Sequence, residues 1–248
     1  MNAICGSWHP AIPDRTLLSW RYFLSLYAVS SVAAQWQEWS DAAEPGVAHM
    51  RYFTNITYLL FCISTVALCS FQIVCSTCKK SNESTVSRGA LLFAKIIAIT
   101  WQCACCCSLF LDVVYWSVLR SNLTDETNGF SNVNKHLINS LLMLGSFAIN
   151  NMHFPAKDVL FVLLYALLYA VISVVYFAET KEWIYFFLNW HNRYVAAYYA
   201  ALISGLLVTY LALYLLGRLK KKFSAQLLLT QQLQQALFPS DNESKEMV

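Results

Sequence analysis

The chain has 248 residues, of which 58% are hydrophobic, 15% aromatic and only 12% charged. Soluble domains carry about 25% charged residues, so this sequence has too little polar surface to coat a globule in water. A net charge of +3, carried by short loops, also excludes a nucleic-acid-binding surface.

The mean hydropathy of +0.46 points to a bilayer as solvent. A hydrocarbon core about 30 Å thick takes roughly 20 mainly apolar residues per helix. Six runs approach that length in chain order: 16–36, 52–74, 90–119, 137–151, 159–177 and 195–216. The fourth is short and polar at both ends, and the third carries Lys95, expected to snorkel toward its nearer end. No basic cluster precedes an apolar core in the first fifteen residues, so the first run is expected to span and stay rather than to be a cleaved leader. The stretch "RLKKKFSAQLLLTQQLQQALF" continues the sixth helix, with Leu219, Phe223, Leu227, Thr230, Leu233 and Leu237 at three- and four-residue steps. It suits the cytoplasmic leaflet surface or a partner helix. The last ten residues, "PSDNESKEMV", read as disordered. The expected organisation is a six-span domain over 1–222 and an amphipathic helix with a disordered tail over 223–248.

With six spans the two termini share a side, and basic residues choose it. Arg15, Arg21, Lys79, Lys80, Arg88, Lys157, Arg218, Lys220, Lys221 and Lys222 fall on the terminal side, against Arg51, Arg120, Lys135, Lys181 and Arg193 on the other. The expected fold is therefore all-α and integral to the membrane, a bundle of six transmembrane helices with both termini cytoplasmic. On that orientation the sequon at Asn82 is cytoplasmic, the one at Asn55 lies inside a span, and only Asn122 faces the glycosylating side. Endoplasmic reticulum and plasma membrane fit equally.

Nine cysteines in such a chain do not make a disulfide framework. Cys103, Cys106 and Cys107 in "WQCACCCSLF" share a helix face suited to a soft metal. The plainer reading is thiols packed as small hydrophobes. "CSTC" at Cys75–Cys78 lacks the second pair of a zinc site, and its juxtamembrane position suits S-palmitoylation better. No cofactor or metal is expected.

Polar side chains at membrane depth are functional candidates by default. Thr54 lies within about a turn of the outer end of span two, and His136 opens span four on the same side. Asp112 precedes the outer end of span three by seven residues, or roughly 10 Å of helix. Asn139 follows His136 by three residues and shares its face. A hydroxyl, an imidazole and a carboxylate at one level suggest nucleophilic catalysis, since a threonine needs a base and the base an orienting group. The plain alternatives are a Thr54 bonded to its own backbone, an interfacial His136, and an Asp112 paired with Lys135 or an asparagine. His153 lies on the other side.

Four stretches in order resemble the androgen-induced (FAR-17a) membrane protein family, and its Rolling stone-like branch most. "MRYFTNITYLL" is similar to that branch's YFTxxT opening of span two, and "LFLDVVYW" to its aspartate-bearing third span. "NKHLINSLLMLGSFAINNMHFP" resembles the histidine segment, and "EWIYFFLNW" the aromatic signature before the last span. The resemblance implies a multi-pass hydrolase of fatty acid esters of hydroxy fatty acids, with Thr54 as nucleophile and His136 as base. On position, Asp112 and Asn139 are the supporting candidates to orient the imidazole, and the resemblance makes the substrate a lipid within the bilayer. Trp101, Tyr115, Trp116 and Trp183 are candidates for an acyl channel, or else packing and an interfacial belt. Two departures stand out: "EWIYFFLNW" lacks the proline common after the tyrosine, and lysine precedes His136 where many relatives have methionine. The Rolling stone-like branch is associated with cell fusion, which supplies the alternative: a non-catalytic membrane protein acting in fusion, adhesion or assembly through partners, with the C-terminal amphipathic helix as the contact.

Overall fold

The computed structural model describes residues 12–41, 46–80, 87–120 and 130–237, together with residues 6 and 9. The sequons at Asn82 and Asn122 and the residues from 238 onward lie outside the described residues. Six main helices, and no strand, are present among the described residues. They are α1 (Asp14–Asp41), α2 (Phe53–Lys80), α3 (Arg88–Val114), α4 (Asn139–Ile149), α5 (Val159–Thr180) and α6 (Val195–Leu237). Each coincides with one of the six apolar runs. Four are long and apolar enough to cross a membrane: α2, α3 with its extension to Leu119, α5 and α6.

The helices differ in what they bury, and their sequences say why. In α2 the positions Tyr58, Phe61, Thr65, Leu68 and Gln72 recur at four- and three-residue steps and are all buried. Helix α3 is buried on every side from Trp101 to Ser108 and packs against α2, α4, α5 and α6. A helix so enclosed needs small side chains, and Cys103, Ala104, Cys105, Cys106 and Cys107 supply them. Cys106 and Cys107 are fully buried free thiols among these contacts. Among the described residues no three histidine, cysteine or acidic side chains converge as a metal site. Lys95, on the same helix, points outward and is exposed.

Helices α5 and α6 bury only one face. Leu160, Leu164, Leu167, Leu168 and Val171 of α5 stand more than half exposed. So wide an apolar surface is compatible with contact to lipid chains and unlike the exterior of a soluble monomer. Close approach of α6 to α3 depends on Gly205, where an added Cβ would stand 3.0 Å from Phe110 Cε2. Lys181 ends α5 in the left-handed region at φ 64°, its N–H bonded to Phe177 O.

Two segments depart from the α form. Past Val114, α3 widens into a π-helix at Tyr115–Leu119, and α4 is entered through a short helix, Phe130–Val133, and a second π-helix, Asn134–Ile138. Below α4, residues 150–155 are not helical, yet they run beside the buried parts of α3 and α6. Backbone groups in such a place need partners from the protein itself. Gln102 Nε2 donates to His153 O at 3.1 Å, Tyr210 Oη to Pro155 O at 2.6 Å, and Met152 N to Asn150 Oδ1 at 2.9 Å. Lys220 Nζ donates three times, to the carbonyls of Phe147, Asn150 and Met152 at 2.7, 2.9 and 2.9 Å. The same ammonium lies 4.0 Å from the Phe147 ring centroid. It thereby caps the carbonyl end of α4, where a cation also complements the helix dipole.

Candidate functional site

The four candidate residues occupy the end of the bundle where the two π-helices face each other. His136 is 5% exposed and stacks flat on Tyr115, ring centroids 3.7 Å apart and planes 5° from parallel. Its Nδ1 lies 3.8 Å from Asp112 Oδ1, beyond a hydrogen bond but within ion-pair range. Trp116 Nε1 donates to the His136 carbonyl at 2.9 Å. This bond joins the two π-helices directly, a kind of wide turn that recurs at functional sites. Ser140 Oγ sits beside the Asp112 carboxyl outside good hydrogen-bonding geometry.

Asn139 shares the buried face of His136 but bonds elsewhere, its Nδ2 donating to Ser108 Oγ at 3.0 Å. Asp112 is therefore the residue set against the imidazole, while Asn139 ties α4 to α3. The buried stripe of this segment is mostly polar: His136, Asn139, Ser140, Ser146 and Asn150, with Met143 and Phe147 between them. Polar side chains of this kind hold membrane helices together through interhelical bonds.

Thr54 lies in the first turn of α2, one helical step above Tyr58 on the buried stripe, and is itself half-buried. Its hydroxyl is within hydrogen-bonding reach of Tyr185. That phenol also meets the Phe53 backbone and Tyr169, and burial pushes its pKa up to about 12. Tyr169 donates in turn to Arg51 O at 3.1 Å and stacks on Phe53 at 4.4 Å. The structure thus places Thr54 with Tyr185 and His136 with Asp112, and no direct hydrogen bond joins the two pairs.

Neighbouring residues lock this end of the bundle. Lys135 Nζ donates to Asn55 Oδ1 at 3.1 Å, and Asn55 Nδ2 to His49 O at 2.7 Å. Asn55 is 5% exposed, so the amide of "NIT" is fully committed inside the protein. Asn134 accepts from Tyr27 and donates to Tyr58 Oη at 3.0 Å, while Tyr58 donates to Ser31. These bonds pin the second π-helix to α1 and α2 together. Thr57 shares a bond with Tyr165 Oη at 3.1 Å, joining α2 to α5.

Of the four aromatics considered as channel lining, Tyr115 and Trp116 touch His136. Trp101 is 1% exposed and packs on Phe147 and Phe154. Trp183 stacks on Phe177 and abuts Trp190. Tyr185 carried the clearest sequence signal among the residues given no role, since it lies within "EWIYFFLNW". Its pairing with a threonine more than a hundred residues earlier has no sequence signature.

Comparison with protein-family models, with curated proteins and with solved structures finds no match to this chain. The likeness to the androgen-induced family rests on the quoted motifs alone.

Proposed function

We propose that this chain is a six-span integral membrane lipid-ester hydrolase of the androgen-induced and Rolling stone-like kind, with both termini cytoplasmic. The observation that carries the reading is the apposition of buried His136 to Asp112 at the outer level of the bundle, where Thr54 opens α2. Helix α1 is long enough to span at about 42 Å. Its polar residues Arg21 and Gln35 are buried against the bundle, which spares the lipid face. The fourth span combines Phe130–Val133, the π-turn and α4, and hides its polar stripe in the same way.

In this reading Thr54 Oγ1 attacks the ester carbonyl while its proton passes to His136 Nε2, the nitrogen that does not face Asp112. The tetrahedral adduct collapses, the bond to the alcohol oxygen breaks, and His136 returns the proton to that oxygen. Water then attacks the acyl-threonine with His136 as base, releasing the fatty acid and restoring Thr54. Asp112 orients and stabilises the imidazolium. Tyr185, held protonated by burial, donates to the developing oxyanion. The cycle requires the first turn of α2 and the second π-helix to draw together around the ester.

A long-chain alkyl fluorophosphonate tests the nucleophile directly. One adduct is expected, on the peptide that contains Thr54, absent from Thr54→Ala and strongly reduced in His136→Ala. An adduct on another hydroxyl, unaffected by Thr54→Ala, contradicts the assignment. The partner-binding alternative has one observation in its favour: Leu219, Phe223, Leu229 and Leu233 of α6 are more than half exposed beyond the apolar span. It predicts that this extension, and not Thr54, carries the biological effect.

A further inference from the structure

At the end of the bundle opposite Thr54, α6 passes the non-helical stretch 150–155, and a recess of about 300 Å³ opens between them. Asn151, His153, Lys220, Lys221 and Ser224 line it on the polar side, with Gly217, Ala225 and Leu228 on the other. Gly217 of α6 lies against this stretch, where a Cβ would stand at ordinary contact distance, 3.5 Å from His153 Cβ and 3.7 Å from Phe154 N. No acidic side chain lines the recess.

We propose that this recess binds the phosphate of an anionic phospholipid headgroup. The proposal rests on the membrane placement of α6 and is independent of the hydrolase reading. Three features carry it. The lysines divide the work: Lys220 gives its three N–H groups to the carbonyls of Phe147, Asn150 and Met152, which fixes the wall of the recess and leaves the binding to its neighbours. Exposed Lys221 and His153 remain as donors, joined by the Asn151 amide. The level is also right, because the apolar part of α6 ends just before Arg218, Lys220, Lys221 and Lys222, where a helix leaves hydrocarbon for headgroups. Finally, Ala225 and exposed Leu228 give an apolar side on which the glycerol and upper acyl chain can lie.

A lipid phosphate and free phosphate share this chemistry, and the test separates them. The full-length chain in maltoside micelles is titrated with phosphatidic acid, and retained lipid is read by native mass spectrometry. Phosphatidylcholine serves as the neutral control and inorganic phosphate as competitor. Wild type is expected to retain phosphatidic acid at least fivefold over phosphatidylcholine. The double variant Lys221→Gln/His153→Ala is expected to fall to the neutral level. Ala225→Phe fills the recess without changing any charge at a solvent-facing helix position, and is expected to fall likewise. Lys181→Gln at the other end of the bundle is expected to bind as wild type. Displacement by millimolar inorganic phosphate would support the site and extend it to free phosphate; no displacement would assign it to the lipid. Equal retention of the two lipids, or retention unchanged in both the double variant and Ala225→Phe, overturns the proposal.

Discussion

His136 Nδ1 lies 3.8 Å from Asp112 Oδ1, while the Asn139 amide donates to Ser108 Oγ. Depth along a helix follows from counting, so Thr54, Asp112 and His136 were legible as residues of one level. Rotation about the helix axis does not follow from counting. It is set by which neighbours pack where, and it turned Asn139 toward Ser108 and left Asp112 facing the imidazole. Asp112→Asn is therefore expected to lower kcat by about tenfold to a hundredfold with KM little changed, because an orienting carboxylate acts on the transition state. Asn139→Ala should act on stability instead, and steady-state kinetics beside thermal unfolding separates the two. Lys135 was read as a loop cation, yet it is buried and bonded to Asn55, since a long side chain can fold back into a polar pocket. Tyr185 makes a pH prediction. Its folded pKa is raised from 10.0 to about 12 by burial, so the neutral phenol is favoured in the folded protein. The stability this contributes is complete below pH 10 and is lost as pH rises through about 12. Unfolding followed across that window should show the loss in wild type and a smaller one in Tyr185→Phe. An equal loss in both would contradict it.

The positions of α2, α3, α5 and α6 were legible because each holds an apolar run of about 20 residues, although the lysines that close the last run do not end α6, which continues to Leu237. The interruption between α4 and α5 was legible only as the short, polar fourth run. What makes it tolerable, side chains from α3 and α6 that pair its backbone, depends on contacts across the bundle. Lys220 is the central one. It reads in sequence as one of a run of surface lysines, whereas its three bonds tie the end of α4 at Phe147 to the non-helical stretch at Asn150 and Met152. Lys220→Met keeps the apolar stem and leaves three carbonyls without that donor. It is expected to destabilise the fold by about 3 kcal/mol, given the cost of unmade bonds to a charged group. Lys222→Met, on an exposed neighbouring position, should be near neutral. A melting temperature lowered several degrees by the first and not the second is the expected pattern; equal effects would contradict the capping role. Neither π-helix had a sequence signal, because the extra residue in a turn is fixed by the long-range bonds it permits, such as Trp116 to His136 O.

The whole molecule is one bundle around α3, lipid-compatible on α5 and α6, polar along the α3–α4 seam, with a candidate nucleophile at one end and a basic recess at the other. Composition made the class legible, and the charge count predicts the orientation that the proposed function adopts. Burial of Arg21 and Lys135 removes one cation from each side of that count and leaves its direction unchanged. Epitope tags at the two termini should therefore both be reached by antibody once the plasma membrane alone is permeabilised, and not in intact cells. Both tags reached in intact cells, or only after the organelle membrane is opened, would reverse the orientation; tags reached on opposite sides would break the six-span reading. The proposed chemistry rests on a narrower point, that one threonine and one histidine act together although each rests on a different partner. The most direct measurement is ester hydrolysis by the detergent-purified protein, on fatty acid esters of hydroxy fatty acids and simple long-chain esters. Wild type is compared with Thr54→Ala and His136→Ala, each shown to be folded by its melting curve. The account predicts turnover in wild type and a loss of at least about a hundredfold in both variants. Turnover that persists undiminished in folded Thr54→Ala contradicts it.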